Sequence, residues 1–411
     1  MHRLRTDEKI GLCPYVKVLH IITRFDKGGS AENTFQTVYG LDKARYEVTL
    51  AAGAGVNERD AESLATEENI AAVQAAGARL LFVRHLAREL NPFLDTAAFF
   101  SLCGIIRREK PDIVHTHTSK AGFLGRWAAW LCRVPAIIHT PHGHVFWGYF
   151  KPLKTRLFIV LERLTARITD AFIMLTPQEM KDHLALRIAP EEKFTVIHSG
   201  VDLGKFDYEK FRFDNPKGTL PEVPENKVVI GTVGRLTAIK GQDVLLRAFA
   251  ELRQAGQEAF LVLLGEGERR TELEDIASRL KLSENVCFLG WRPDVAAVMA
   301  SFDIFCLPSL NEGMGKVVVE AMAMGLPVIA SDIGGIKDLV HNGENGFLVP
   351  PGDAHAFAEA LALLCRDPEK RRLMGAAGRL VAPLYSSEEM TKKIELLYES
   401  IGGKASLPHA T

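Results

Sequence analysis

The sequence predicts an α/β protein built from two doubly wound parallel-sheet domains. Three observations carry that prediction. Short apolar runs rich in Val and Ile alternate with longer segments of helical periodicity. The alternation stops at a proline-rich, charged stretch, FDNPKGTLPEVPENK at 213–227, and then starts again. The chain has 411 residues, long for one hydrophobic core. Parallel neighbours are joined only through a crossover, so repeated βαβ units leave this alternating signature.

The first series of strands reads VKVLHII (16–22), YEVTLAA (46–52), ARLLFV (78–83), DIVHTH (112–117), PAIIHT (135–140), AFIMLT (171–176) and FTVIH (194–198). The second reads VVIGTVG (228–234), AFLVLLG (259–265), NVCFLG (285–290), DIFCLP (303–308), LPVIAS (326–331) and GFLVP (346–350). An amphipathic segment fits between neighbours in each series. A last helical pattern, SSEEMTKKIELLYESIGG (386–403), follows. The expected organisation is a first domain at 1–205, a second at 206–385 and a terminal helix at 386–411. Ligands of open α/β sheets bind beyond the carboxyl ends of the strands, and two such domains facing each other would form a cleft.

Composition bounds the partners. Hydrophobic residues make up 47% and charged residues 25% of the chain, as in soluble globular proteins. A formal net charge of −1 gives no reason to expect nucleic acid. The positive charge is uneven, however. Arg84, Arg88, Arg107, Arg108, Lys110, Lys120, Arg126, Lys151, Lys154 and Arg156 crowd into the first domain. Solvated helix faces account for such a run, and so does a patch for anionic lipid headgroups or a lipid diphosphate. The six cysteines form no CxxC pair and read as reduced thiols of a cytosolic protein. The first residues lack an apolar stretch of signal-peptide length, and no run is apolar enough to span a bilayer.

The chemistry concentrates in NEGMGKVVVEAMAMGLPVIASDIGG, residues 311–335. Gly313 and Gly315 disfavour helix, so Glu312, Gly313, Met314 and Gly315 form a turn after a strand. A helix begins near Lys316 and stops at Gly325, which places Glu320 about one turn in. The amides around Lys316, Val317 and Val318 then lie between two carboxylates. Helix N-termini favour phosphate, and carboxylates accept hydrogen bonds from hydroxyls. The order carboxylate, amides, carboxylate matches sugar, diphosphate and ribose. On spacing alone, a helix-capping glutamate beside a solvated one fits equally well. Arg235 and Lys240 follow the glycine-ended strand VVIGTVG, where two cations neutralise a diphosphate. Gly28 and Gly29 sit in a strand-to-helix loop, DKGGSAEN, which a simple tight turn also explains. IIHTPHGHVFWGYFKP (137–152) carries three histidines and the aromatics Phe146, Trp147, Tyr149 and Phe150. The aromatics fit loop packing or an acceptor groove. His115, His117, His139 and His144 lack an accompanying carboxylate, so no metal is expected.

Taken together, these segments resemble the retaining nucleotide-sugar glycosyltransferases of family four, which have the GT-B architecture of two facing Rossmann-like domains. The resemblance covers nearly the whole chain. EGMGKVVVEAMAMGLPVIASDIGG resembles their Glu-x7-Glu segment, and GTVGRLTAIKG the segment whose Arg and Lys bind the donor diphosphate. LLGEGERR, with Glu266, and FLGW resemble strand ends beside the nucleotide base. ITRFDKGGSAENT resembles the N-terminal glycine loop, HTPHGH the inter-domain histidine loop, and IHSGVD the domain junction. The pattern departs from the family in Met314, where an aromatic is usual, and in Ser199, where Asn is common.

The resemblance implies a retaining hexosyl transfer from a nucleoside-diphosphate sugar, most often a uridine one, to a sugar or polyprenyl-diphosphate-linked acceptor. The setting it implies is cell-surface polysaccharide or glycolipid synthesis, in the cytoplasm and peripheral to the membrane. It assigns catalysis to His142, Glu312, Arg235 and Lys240. Donor binding falls to Gly28, Gly29, Arg235, Lys240, Glu266, residues 312–318 and Glu320. No catalytic metal or further cofactor is implied, and the terminal helix is expected to cross back to the first domain. The rivals are a sugar-nucleotide epimerase on the same architecture and a non-catalytic nucleotide-sugar binder. A nicotinamide dehydrogenase would need a glycine fingerprint that the sequence lacks.

Overall fold

The computed structural model describes residues 15–24, 29–53, 67–87, 89–142, 152–212 and 226–405. Strands β1 (Val16–Ile22), β2 (Tyr46–Gly53), β3 (Arg79–Val83), β4 (Ile113–His117), β5 (Ala136–Thr140), β6 (Ala171–Met174) and β7 (Phe194–Val196) form one sheet. Its order is β3-β2-β1-β4-β5-β6-β7. Strands β8 (Val228–Val233), β9 (Ala259–Leu264), β10 (Val286–Gly290), β11 (Ile304–Leu307), β12 (Val328–Ser331) and β13 (Gly346–Val349) form the other. Its order is β10-β9-β8-β11-β12-β13. Neighbouring strands run parallel, with Val18 opposite both Val48 and Ile113, and Ile304 opposite Ile230. Both orders reverse direction beside their first strand, the arrangement of a doubly wound sheet.

Packing divides the described residues into two compact units. One holds 15–173, 188–193 and 394–405; the other holds 174–187 and 194–393. The division therefore falls at a different place from residue 205, where the strand series alone put it. Packing in space, and not strand succession, decides which unit a segment joins.

In the second unit both faces of the sheet are covered. Phe260, Val262, Phe305 and Leu307 join Val318, Val319 and Met322 of the helix Lys316–Ala323 in one core cluster. Leu261, Leu263 and Cys306 join Leu245, Phe249 and Leu361 in another. Strands buried on both faces cannot alternate apolar with polar, which is why these runs read as continuous. Gly231 in β8 allows Phe302 to lie flat on the strand, since a Cβ there would come within 2.0 Å of the ring.

In the first unit, one face is covered by the helices Pro92–Glu109 and Ser119–Leu131, through Leu102, Ile106, Ala121 and Ala128. Two cations of the basic stretch are structural here. Arg126 is fully buried and bidentate to Glu162 at 2.7 and 2.9 Å, with its Nε donating to the Gly122 carbonyl at 2.8 Å. Lys120 pairs with Asp95 and donates to the Glu89 carbonyl. Neither is available to a surface patch. Arg88 and Lys151 lie outside the described residues.

The first sheet also buries polar rings. His20 in β1 lies opposite His115 in β4, and Ile22 opposite His117, so the three imidazoles share a face. The helix Ser387–Ala405 brings Tyr398 to this face, where its hydroxyl meets His115 Nδ1 at 2.7 Å. The backbone amide of Asp42 donates to Glu395 at 2.8 Å, and Arg45 pairs with Glu399. His139 points to the opposite face, against Gly122, where a Cβ would sit 2.3 Å from the ring.

Burial pushes His20 down to about 3 and holds His115, His117 and His139 well below the usual range. The unfolded chain takes up these protons below about pH 6.5 and the folded chain does not. Stability from these rings is complete above that pH and is lost as the pH falls. At about pH 5, each ring whose folded value lies lower withdraws about 2 kcal/mol. Urea unfolding followed at about pH 7.5 and about pH 5 should show a clear drop in midpoint at the lower value. An unchanged midpoint would mean that the folded rings already carry the protons.

Candidate functional site

Strands β8 and β11 are neighbours, so the loops leaving their carboxyl ends emerge side by side. β8 ends at Val233 and delivers Gly234 and then Arg235. A 3₁₀ turn, Ala238–Lys240, follows and is closed by Gly241 in the left-handed region. β11 ends at Leu307 and delivers the loop from Pro308 to Gly315. The two loops are joined in three ways. Leu310 N–H donates to the Ile239 carbonyl at 2.8 Å. Gly241 packs so tightly on Pro308 that a Cβ would meet its carbonyl oxygen at 2.2 Å. Lys240 Nζ donates to both Glu312 oxygens, at 2.9 and 2.6 Å. That pair is largely shielded from solvent, with side-chain exposures of 24% for Lys240 and 14% for Glu312.

Beside this pair a cavity of about 560 Å³ opens, lined by Arg235, Thr237, Ala238, Ile239, Lys240 and Glu268. Arg235 is exposed, and its backbone carbonyl accepts from the buried Gln242 at 2.9 Å. Gln242 and Glu268 were not singled out from sequence. Gln242 stands at the first position of an amphipathic helix, where a polar residue looks solvated, yet it is 2% exposed.

The helix Lys316–Ala323 starts from Gly315, which is left-handed at φ +76° and supplies no side-chain cap. First-turn amides of a helix have no acceptor within it, so this end favours an anion. One amide must be removed from the expected set. Val318 N–H already donates to the Gly315 carbonyl at 2.8 Å, because the first turn is tight, and the Val318 side chain is fully buried. Lys316 and Val317 remain at the helix start, and Glu320 lies one turn in, half-buried. Met314 is 5% exposed and belongs to the core cluster under the loop, so this residue anchors Glu312 and Gly313 from below. Above them, Gly335 N–H donates to the Gly313 carbonyl at 2.7 Å.

Glu266 follows β9, on the other side of β8. Its carboxylate pairs with Arg270 at 2.5 Å and lies close over Gly290. In the first unit, Gly29 opens the helix Gly29–Gly40 with open space at its Cβ position; Gly28 lies outside the described residues. His142 follows β5 with φ +58°, a conformation that costs a non-glycine residue about 1–2 kcal/mol. Its Nε2 is 2.9 Å from His117 Nδ1. His144 and the aromatics 146–150 lie outside the described residues.

The contact above the site is testable. Gly334 has φ +46°, and a Cβ there would sit 2.1 Å from the Glu312 carbonyl oxygen. Gly334→Ala should destabilise the second unit by about 2 kcal/mol or more in urea unfolding. A neutral result would mean that the two loops do not hold this approach.

The comparisons with known proteins agree with this architecture. Residues 28–200 match the glycosyl transferase 4-like domain, and residues 220–381 match the glycosyl transferases group 1. The "UDP-Gal:alpha-D-GlcNAc-diphosphoundecaprenol alpha-1,3-galactosyltransferase" of Escherichia coli is 34% identical over 296 residues, 70% of this chain and 75% of that one. The capsular polysaccharide biosynthesis glycosyltransferase CapM of Staphylococcus aureus is 29% identical over 320 residues, 77% of this chain and 83% of that one. Among solved structures, Anabaena HepE in complex with UDP superposes with a TM-score of 0.78 at 21% identity, covering 94% of this chain and all of that one. WaaG, a glycosyltransferase involved in lipopolysaccharide biosynthesis, gives 0.69 at 18% identity, covering 93% and 99%. The chain therefore belongs to the group 1 glycosyltransferases, with a 4-like first domain and the GT-B architecture.

Proposed function

We propose that the protein transfers a hexosyl group, with retention, from a uridine-diphosphate sugar to a lipid-linked or sugar acceptor. The observation that carries this reading is the Lys240–Glu312 pair between Arg235 and the start of the helix Lys316–Ala323. The pair ties the loop that carries Arg235 and Lys240 to the loop that runs from Glu312 into the helix N-terminus, and a diphosphate joined to a sugar calls for cations, amides and a carboxylate together. The name of the Escherichia coli relative, a UDP-galactose enzyme acting on a diphosphoundecaprenol acceptor, supports the donor and acceptor classes.

In this reading Arg235, Lys240 and the amides at Lys316 and Val317 hold the diphosphate and stabilise the charge it gains on leaving. Glu312 accepts hydrogen bonds from sugar hydroxyls, and Glu320 from the ribose. Glu266 stands near the base, oriented by Arg270. Both oxygens of Glu312 are directed to Lys240, which makes it a poor nucleophile. Retention then proceeds on one face: the acceptor hydroxyl bonds to the anomeric carbon as the bond to phosphate breaks, and its proton passes to the departing phosphate. We assign His142 a part in transfer as well. No metal or further cofactor enters this scheme.

Calorimetric titration with UDP, GDP, ADP and NAD tests the donor site, and product analysis with labelled sugar donors tests the reaction. UDP should bind, and binding should weaken in Lys240→Ala and Glu320→Ala. Turnover should fall about 100-fold or more in Lys240→Ala and Glu312→Ala with the fold intact by circular dichroism. Binding of NAD alone, or free epimer as the product, would overturn the reading.

We also propose that the protein works in the cytoplasm and that its first unit rests on an anionic membrane surface. Among the described residues no helix is long and apolar enough to cross a bilayer. The helix Pro152–Ala166 instead exposes Leu157, Val160 and Leu164 beside Lys154, Arg156 and Arg163. Such a mixture suits the headgroup boundary. Vesicles containing phosphatidylglycerol should sediment the protein, and Arg156→Glu with Arg163→Glu should reduce that binding severalfold. Binding indifferent to salt and lipid charge would refute the surface.

A further inference from the structure

The two cations that line the cavity beside β8 are held in different ways. Lys240 is gripped by both oxygens of Glu312. Arg235 has no such grip. Among the described residues its guanidinium makes no hydrogen bond or ion pair, so its direction is set by its main chain.

That main chain is fixed with care. The peptide joining Arg235 to Leu236 is held on both edges. Its N–H, that of Leu236, donates to the Glu266 carbonyl at 2.9 Å. Its carbonyl, that of Arg235, accepts from the Thr237 N–H at 3.0 Å and from Gln242 Nε2 at 2.9 Å. A peptide unit is planar, so holding both edges sets the direction in which the Arg235 side chain leaves the backbone. Of these three contacts only the one from Gln242 is made by a side chain.

Gln242 opens an amphipathic helix and is nevertheless 2% exposed. The bond to Arg235 is its one side-chain hydrogen bond among the described residues, and its Oε1 finds no partner in the protein. A buried amide costs stability unless its groups are paired, and a position chosen for packing alone takes an apolar side chain. The one pairing that Gln242 makes is to the residue that leads from β8 into the cavity.

We propose that Gln242 is a positioning residue for the donor. It locks the peptide after Arg235 so that the guanidinium faces the diphosphate, while Lys240 is held separately by Glu312. Gln242 acts only through Arg235 and touches no part of the donor. The assignment rests on the donor site proposed above.

Calorimetric titration of the full chain with UDP, and separately with inorganic pyrophosphate, tests it. Gln242→Met keeps the volume and removes the N–H donor. It should weaken both ligands about tenfold and leave the urea midpoint unchanged or higher. Arg235→Ala should weaken them to a similar degree. Adding Gln242→Met to Arg235→Ala should then change affinity less than about twofold, because the effect passes through the guanidinium. Full affinity in Gln242→Met would overturn the proposal. So would a loss that persists undiminished without Arg235, the mark of a residue that merely supports the loop. Gln242→Glu keeps the shape and lacks the donor, and it carries the same comparison if Gln242→Met does not fold. Pyrophosphate separates this assignment from the nucleotide reading. Pyrophosphate binding weakened by Gln242→Met, with UDP bound no tighter than pyrophosphate, would remove the uridine donor and leave the positioning role standing. Binding of neither anion by the unaltered protein would overturn both.

Discussion

The second unit's site depends on one ion pair. Lys240 and Glu312 are 72 residues apart and come from loops that leave adjacent parallel strands. Both side chains are mostly shielded, so neither charge is well solvated by water, and each satisfies the other. A half-buried pair of this kind is stable as a pair and unstable when one member is removed. It is also exchangeable. A diphosphate beside Lys240 offers a stronger anion than a carboxylate, and sugar hydroxyls beside Glu312 offer donors in place of the ammonium. In the proposed reading, the same contact that joins the two loops therefore presents the groups that a nucleotide sugar needs. The glycines around it follow from that constraint: Gly241 and Gly334 each bring a carbonyl to about 2 Å from where a Cβ would be.

The first unit solves a different problem. A parallel sheet covered on both faces is expected to hold apolar strands. Strands β1, β4 and β5 instead carry His20, His115, His117 and His139, all at most 2% exposed. Each ring finds partners inside the protein, chiefly Tyr398, Thr140, Thr116 and the other rings. Only neutral imidazoles fit such a network, because a protonated ring has two donors and no acceptor. The acid sensitivity of the unit is a consequence of that arrangement.

Much of the fold was legible because parallel strands announce themselves as apolar runs with fixed spacing. The runs at VVIGTVG, AFLVLLG and DIFCLP became β8, β9 and β11, and the helix start near Lys316 was set by Gly315. What remained hidden was whatever depends on contacts distant in sequence. Arg126 reads as one more surface cation, and nothing nearby announces Glu162, a helix away. Val318 reads as a phosphate-binding amide until the tight first turn claims its N–H. The metal reading of the histidines was set aside for want of a carboxylate. The signal that was present, polar rings at His20, His115 and His117 within otherwise apolar strands, pointed to a buried polar network instead.

That signal has a general form. Several local rules are broken around the proposed chemistry: positive φ at the non-glycine His142, a left-handed Gly315, glycines at Gly241 and Gly334 where a Cβ would meet a carbonyl, and imidazoles in strand interiors. Each violation costs stability where it stands and persists because packing around it is over-determined. Met314 illustrates the support, holding the Glu312 loop from within a core cluster that also contains Leu307, Val318 and Ile336. A rigid base of this kind keeps the charged groups in register with the helix start. Removing one charge of the pair should therefore cost chemistry most and leave the fold intact though less stable, whereas substitutions at the glycines and buried rings should disturb the fold itself.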